Sequence, residues 1–231
     1  MEVKVIRQHN AITEARYDIS SLEKNIVYML LIAIKNPTAS LEENYYRISL
    51  NELNERMGFK IKLSELMDAS RSLLSRVYTI IEEDGGELHT TIISSITNIT
   101  EEELEIGVSS MVLPYLRLLQ EKYTEFDLDT ALSMDSVYSK RMYELLSQHR
   151  QAGEIFISLE DLKWRLALKD PKTGKEKYTT WTNFRRTVLD NPQKELNKKS
   201  DLSFTYRLKK TGKKYTHLHF EIKDSKSITK K

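Results

Sequence analysis

The chain has 231 residues, of which 39% are hydrophobic and 30% charged, with 7 Gly, 4 Pro and no Cys. This composition excludes collagen, low-complexity disorder and a Gly-rich all-β protein, and the missing thiols exclude disulfide scaffolds, thiolate zinc sites and cysteine nucleophiles. The net charge of +2 conceals a strong polarity, because residues 1–137 carry 13 Lys+Arg against 23 Asp+Glu whereas residues 138–231 carry 23 against 11.

The start, Met1-Glu2-Val3-Lys4, has no apolar h-region. The longest apolar run, Ile26 to Ile34, falls far short of the roughly 20 residues of a membrane span. A cytoplasmic protein with no membrane partner is expected. In chain order, the pattern predicts a helix over Leu22 to Lys35, a short strand Tyr46-Arg47-Ile48, and a short helix. Ser49 and Glu52 form a Ser-x-x-Glu capping box at that helix's start. A longer third helix is predicted from Leu63 to Glu82 and a hairpin from Leu88 to Val108.

The same order then recurs. A helix is predicted over Ser136 to Gln151, a strand Ile155-Phe156-Ile157, a cap at Ser158 with Asp161 three residues on, a third helix from Thr179 to Lys198, and a hairpin from Leu202 to Ile222. Ile48 to Met57 aligns with Ile157 to Leu166, and Tyr28-Met29-Leu30-Leu31 with Tyr143-Glu144-Leu145-Leu146. Two matches in one order support a duplication, with extra residues in copy one assigned to the loop Asn36 to Asn44. The expected division is 1–122 and 123–231, with a flexible tail from about 224.

Helix, strand, helix, helix and hairpin is the order of a winged helix. The fold class is therefore α+β, two tandem winged-helix domains related by internal duplication. The basic copy suits a polyanion, above all nucleic acid; the acidic copy suits a protein contact or its own second copy. The alternative for this charge split is a charge-balanced contact between domains.

On the third helix of copy two, Trp181, Phe184 and Val188 share the core stripe, with Leu189 at its edge. Stacking of bases on Trp181 and Phe184 is the less favoured reading. Opposite lie Thr179, Asn183, Arg186, Thr187 and Asp190, while Arg185 sits nearer the core edge and must snorkel outwards. Asn pairs bidentately with adenine, Arg with guanine, and Thr methyls meet thymine. Lys177 and Tyr178 stand where the helix begins and suit phosphate. Pro192 marks a kink or restart within this helix. The hairpin turn carries Lys209, Lys210, Lys213 and Lys214 around Gly212, suited to phosphates or a minor groove, or else simply solvated. In copy one the equivalent helix carries Arg71 and Arg76 among many acids, with Lys60 and Lys62 before it, so its DNA contact is expected to be weaker or more selective.

No Walker A, Gly-x-Gly-x-x-Gly or His-Glu-x-x-His sequence occurs, so no ATPase, dinucleotide or zincin chemistry is predicted. His217-Leu218-His219 resembles the His-hydrophobe-His metal motif of rolling-circle nicking enzymes. Its histidines alternate outwards on a strand, with Tyr215 expected on the same face, but no Tyr follows it. A polar wing face is the favoured reading, with no catalytic residue, metal or cofactor.

The chain resembles the iteron-binding plasmid replication initiators over nearly its full length. The resemblance is carried by Asn10-Ala11-Ile12-Thr13-Glu14-Ala15-Arg16-Tyr17, and by Tyr138-Ser139-Lys140-Arg141-Met142-Tyr143-Glu144-Leu145-Leu146. It continues in Ile157 to Leu162, in Phe184-Arg185-Arg186-Thr187-Val188-Leu189, and in Glu195-Leu196-Asn197. One departure is that Pro192 stands three residues after Leu189, where the family places it two after. The resemblance implies monomer binding to direct repeats of origin double-stranded DNA, the second domain reading one major groove and the first the next. It further implies opening of AT-rich DNA and recruitment of a host initiator and replicative helicase. A homodimer through the first domain, repressing its own gene from an inverted repeat, is implied as well. Readings from other classes are a metal-dependent nicking enzyme using His217 and His219, and a plain transcriptional repressor.

Overall fold

The computed structural model describes residues 5–35, 44–98, 100, 102–117, 121–212 and 214–224. Most of the loop 36–44, Lys213, and the tail beyond 224 lie outside the described residues. The chain divides into two compact units, Met1–Ser133 and Met134–Lys231.

In the first unit, β1 (Val5–His9) leads into α1 (Asn10–Glu14) and then α2 (Ser21–Lys35). Ile26, Tyr28 and Leu30 of α2 are fully buried, which makes it the central helix of the unit. The strand β2 (Tyr45–Ser49) runs into α3 (Leu50–Met57), where Ser49 accepts the Glu52 N–H at 3.3 Å. The other half of the expected capping box does not form. The Glu52 carboxylate turns instead to Arg56 Nε at 2.9 Å, one helical turn on.

The third helix, α4 (Leu63–Leu73), is shorter than expected and gives way to a strand, β3 (Tyr78–Ile81). The run Val77-Tyr78-Thr79-Ile80-Ile81 is β-branched or aromatic throughout, and such residues fit a pleated, half-buried surface better than a helix. Tyr78 and Ile80 are indeed fully buried. Gly85, at φ +85°, turns the chain into β4 (Glu87–Thr90), which pairs with β3. The hairpin expected over 88–108 is thus two hairpins, the second formed by β5 (Ile93–Asn98) and β6 (Glu103–Val108). A short α5 (Pro114–Arg117) follows, then β7 (Tyr123–Asp127) and α6 (Leu128–Ser133).

The strand β7 pairs with β1, Ile6 opposite Phe126. This corrects the expected boundary at 122/123, because main-chain pairing ties residues 123–127 to the start of the chain. The Gln8, Thr13, Thr124 and Asn10 side chains continue the tie through bonds of 2.8–3.0 Å. The segment Asn10 to Tyr17 is therefore structural: Ile12, Ala15 and Tyr17 are buried, and Tyr17 stacks on Tyr78 with centroids 4.1 Å apart.

The second unit begins with α7 (Val137–Gln148), capped by Ser136, then β8 (Glu154–Ser158) and α8 (Leu159–Arg165). Ser158 accepts the Asp161 N–H at 2.9 Å, and Asp161 pairs with Arg165 one turn on at 3.1 Å. Both the cap and the ion pair repeat those of α3. The helical stretch α9 (Trp181–Phe184) passes through a π-helical segment, Arg185–Asp190, into α10 (Asn191–Lys199). Then β9 (Leu202–Thr211) and β10 (Lys214–Asp224) form the long hairpin. The sheet order is β8-β10-β9, and in the first unit β2-β6-β5, so first, last and middle strands take the same places in each.

Candidate nucleic-acid interface

The third helix of the second unit starts at Thr180, whose hydroxyl accepts the Asn183 N–H at 3.3 Å. Phe184, Val188 and Leu189 are buried. Thr182, Asn183 and Arg186 face solvent, with Thr187 half-buried. Arg186 Nη2 rests 3.4 Å from Asn183 Oδ1, so the amide and the guanidinium stand together on the outer face. At the entrance, Lys177 and Thr179 are exposed, and the Tyr178 hydroxyl donates to that of Tyr138 at 3.1 Å.

Arg185 reaches solvent as expected, but it is held. Its Nε donates to the Tyr206 hydroxyl at 3.1 Å and lies 3.3 Å from Asp190 Oδ2, and Tyr206 donates to Asp190 Oδ1 at 2.5 Å. Burial, then the neighbouring Asp190, pushes the Tyr206 hydroxyl above its ordinary value. This triad fastens the middle of the helix to β9.

The π-helical segment resolves the position of Pro192. The Asn191 N–H bonds to the Arg186 carbonyl, five residues back. Proline has no N–H to offer the carbonyl four residues back and its ring crowds that carbonyl, whereas one wide turn makes room for both. The helix then continues past Pro192 to Lys199.

The wing differs from strict alternation at one point. Tyr215 lies opposite Lys210 but His217 lies opposite Lys209, so the strand bulges at Thr216. A bulge inserts one residue and exchanges the faces beyond it. Tyr215 is therefore not on the histidine face. It turns towards the third helix and stacks on Trp181 with centroids 5.0 Å apart; Trp181 stacks in turn on buried Phe184 at 5.4 Å. Trp181, expected in the core, is half-buried and forms the middle of this stack. Lys210 Nζ lies 4.7 Å from the centre of the Tyr215 ring.

Of the wing lysines, Lys210 and Lys214 flank the helix side, whereas Lys209 lies on the opposite face with its Nζ 5.3 Å from the centre of the Phe156 ring. Lys213 lies outside the described residues. On that opposite face His217 stacks on Phe156, centroids 4.9 Å apart and planes 8° apart, and His219 Nε2 bonds to Glu154 Oε2 at 2.7 Å. Among the described residues no group of three His, Asp or Glu side chains converges as a metal site would require. The two histidines share a face, as expected, but are engaged by different partners.

In the first unit, Arg71 is exposed and pairs at 3.4 Å with Asp68 of its own helix. Arg76 lies beyond the end of α4, and its Nε donates to Glu23 Oε1 at 3.0 Å. Glu23 is only 2% exposed. Burial pushes its carboxyl up, but hydrogen bonds from Ser72, the Ser20 N–H and Arg76 outweigh this and hold it below its ordinary value. Arg76 therefore compensates a buried acid, and the structure does not bring it together with Arg71 on a helix face. The sequence Ser139 to Leu146 is likewise interior. Ser139, Lys140, Arg141 and Glu144 are all buried, and Arg141 donates to the Arg165 carbonyl at 3.2 Å. Burial lowers the Arg141 guanidinium to about 10.

No helix of the described residues is long and apolar enough to cross a membrane. A family model described as "Initiator Replication protein, WH1" matches residues 5–147, and a second, "Initiator Rep protein, WH2", matches residues 158–222. The chain is similar to a "Replication initiation protein" of Escherichia coli, 25% identical over 234 residues that cover 96% of this chain and 70% of that one. It is also similar to the "PI protein" of Escherichia coli, 30% identical over 149 residues, 59% of this chain and 49% of the relative. Among solved structures it matches the Pi initiator protein in complex with iteron DNA, with a TM-score of 0.74 at 23% identity, covering 95% of this chain and 96% of that one. At that identity the likeness is one of fold.

Proposed function

The chain belongs to the initiator replication protein family, and from that premise we propose that it is a plasmid replication initiator whose second unit reads direct repeats, iterons, in double-stranded origin DNA. One arrangement carries this reading: Asn183 and Arg186 project together from a helix whose opposite side is buried, with Lys177 at its entrance and Lys210 and Lys214 on the adjoining wing. The helix side chains suit base edges in a major groove. The lysines suit phosphates, which set register and supply salt-dependent affinity. The solved relative by its name binds iteron DNA, and the shared fold supports the same ligand here.

The finer parts of the proposal are these. The first unit adds a weaker DNA contact and joins two copies of the chain, dimers repress the chain's own gene from an inverted repeat, and monomers open AT-rich DNA. Unwinding power comes from a recruited host initiator and replicative helicase, and no catalytic step falls to this chain. The test is a nuclease footprint on the DNA flanking its own gene, in excess competitor. Several evenly spaced protected repeats, phased by whole helical turns, are expected. A single protected palindrome would replace the initiator reading with a repressor, and no protection would end both.

A further inference from the structure

The sequence Lys-Thr-Gly-Lys occurs twice in the second unit, as Lys172-Thr173-Gly174-Lys175 and as Lys210-Thr211-Gly212-Lys213. The second copy is the wing tip. The first lies between α8 and α9, where a winged helix needs only a connection, yet it is built as a hairpin. Lys169 bridges Glu176 in antiparallel fashion, the Asp170 N–H bonds to the Lys175 carbonyl at 2.8 Å, and the Lys177 N–H bonds to the Leu168 carbonyl at 2.8 Å. Gly174 adopts φ +69° and Gly212 φ +63°, the left-handed conformation that glycine takes at little cost.

This small hairpin is tied down by hydrogen bonds and ion pairs, and its acids are occupied. Asp170 Oδ1 accepts the Lys172 N–H at 2.8 Å and the Thr173 N–H at 2.7 Å, and so points into the turn. Both oxygens of Glu176 lie 3.0 Å from Lys163 Nζ, and Lys169 pairs with Glu160 at 3.2 Å, so both strands of the stem are fastened to α8. Lys172, Lys175 and Lys177 are left exposed, and among the described residues neither Lys172 nor Lys175 forms an ion pair. One cleft is bordered on one side by Glu176, Tyr178 and Thr180, at the exit of this hairpin, and on the other by Lys214 and Tyr215 of the wing. The residues that follow each of the two turns thus line one cleft at the start of the third helix.

We propose that the turn at 170–175 is a second wing, and that Lys172 and Lys175 grip the DNA phosphate backbone opposite the contacts of the wing tip. The proposal rests on the reading that this unit binds duplex DNA. It names phosphate contacts that residue types alone did not single out. A preformed turn binds with little loss of conformational entropy, and contacts of this kind place the helix without reading sequence.

The test is fluorescence anisotropy of the full chain with a labelled random-sequence duplex over a range of salt, comparing wild type with Lys172→Gln/Lys175→Gln. Each phosphate contact contributes about 0.9 to the slope of log K against log salt, so the double variant is expected to lose about two units of slope. Its melting curve should not move, because both side chains are exposed. An unchanged slope in a variant of unchanged melting, while wild type binds the duplex, would overturn the second wing and leave the proposed function standing. Failure of the wild type to bind the duplex even at low salt would overturn both.

Discussion

The two units are built on one scaffold and finished differently. In each, a serine at the end of a strand, β2 or β8, caps the following helix, α3 or α8, an acid three residues on pairs with an arginine one turn further, and the hairpin takes the same places in the sheet. The differences lie in what the third helix and hairpin carry. In the first unit the helix ends at Leu73, Arg71 pairs with Asp68, and Arg76 is drawn onto a buried glutamate. In the second the helix continues through a wide turn to Lys199, presents Asn183 and Arg186, and is flanked by two basic turns. A fold therefore does not confer a binding face; the cations left over after internal pairing do.

The strongest test of the shared scaffold is a matched pair of cavities. Leu53 and Leu162 occupy equivalent places in the repeat and neither is exposed. Leu53→Ala and Leu162→Ala should each cost about 2–5 kcal/mol in denaturant unfolding. Both tryptophans, Trp164 and Trp181, lie in the second unit, so the second variant should move the fluorescence transition. A negligible cost for either would break the equivalence.

Next in size are the arginines. Arg186→Ala should weaken binding to a protected site by about 1–3 kcal/mol and relax the preference at one base position, whereas Arg71→Ala should change binding to the same site far less. Equal losses would erase the contrast between the third helices. For Arg76 the expected readout is stability. Arg76→Met leaves Glu23 short of a partner, at a cost of about 1–3 kcal/mol. Because the Glu23 carboxyl is held below its ordinary value, its share of stability is present above the unfolded carboxylate pKa and lost as pH falls through the lower folded one. The variant's stability should therefore fall less steeply on acidification. In the second unit Glu195 has the same sense: burial raises it, but the Asp135 N–H and Lys199 outweigh this and hold it below its ordinary value.

The smallest effects separate the faces of the wing. Lys210→Ala should flatten the salt slope by about one unit, and Lys209→Ala, on the face of Phe156 and the histidines, should leave it unchanged. Tyr215→Ala should cost about 0.5–1.5 kcal/mol of stacking and alter the emission of Trp181, its neighbour at 5.0 Å. A silent Trp181 would mean that the bulge does not bring the wing onto the helix.

Much of this was legible from sequence because it depends on neighbours in the chain. Caps at Ser49 and Ser158, the core stripe of Phe184 and Val188, and the hairpin from Leu202 to Ile222 follow from helical and strand periods and from short-range hydrogen bonds. The repeat itself exposed the two-unit plan and its element order, and summed charge singled out the basic half. Even so, most of the run Tyr138 to Leu146, which carries part of the family resemblance, lies inside the second unit, with Ser139 to Leu146 buried.

What only the tertiary structure decided involves partners far apart in sequence. The strand β7 joins the first unit because it pairs with β1 more than a hundred residues earlier. Arg76 is occupied because Glu23 is buried beneath it, and Tyr215 and His217, two residues apart, take opposite faces because one bulge at Thr216 shifts the register. A residue's type sets what it can bind; which lysines and arginines remain for a ligand depends on how distant segments meet and on which acids the fold has already answered.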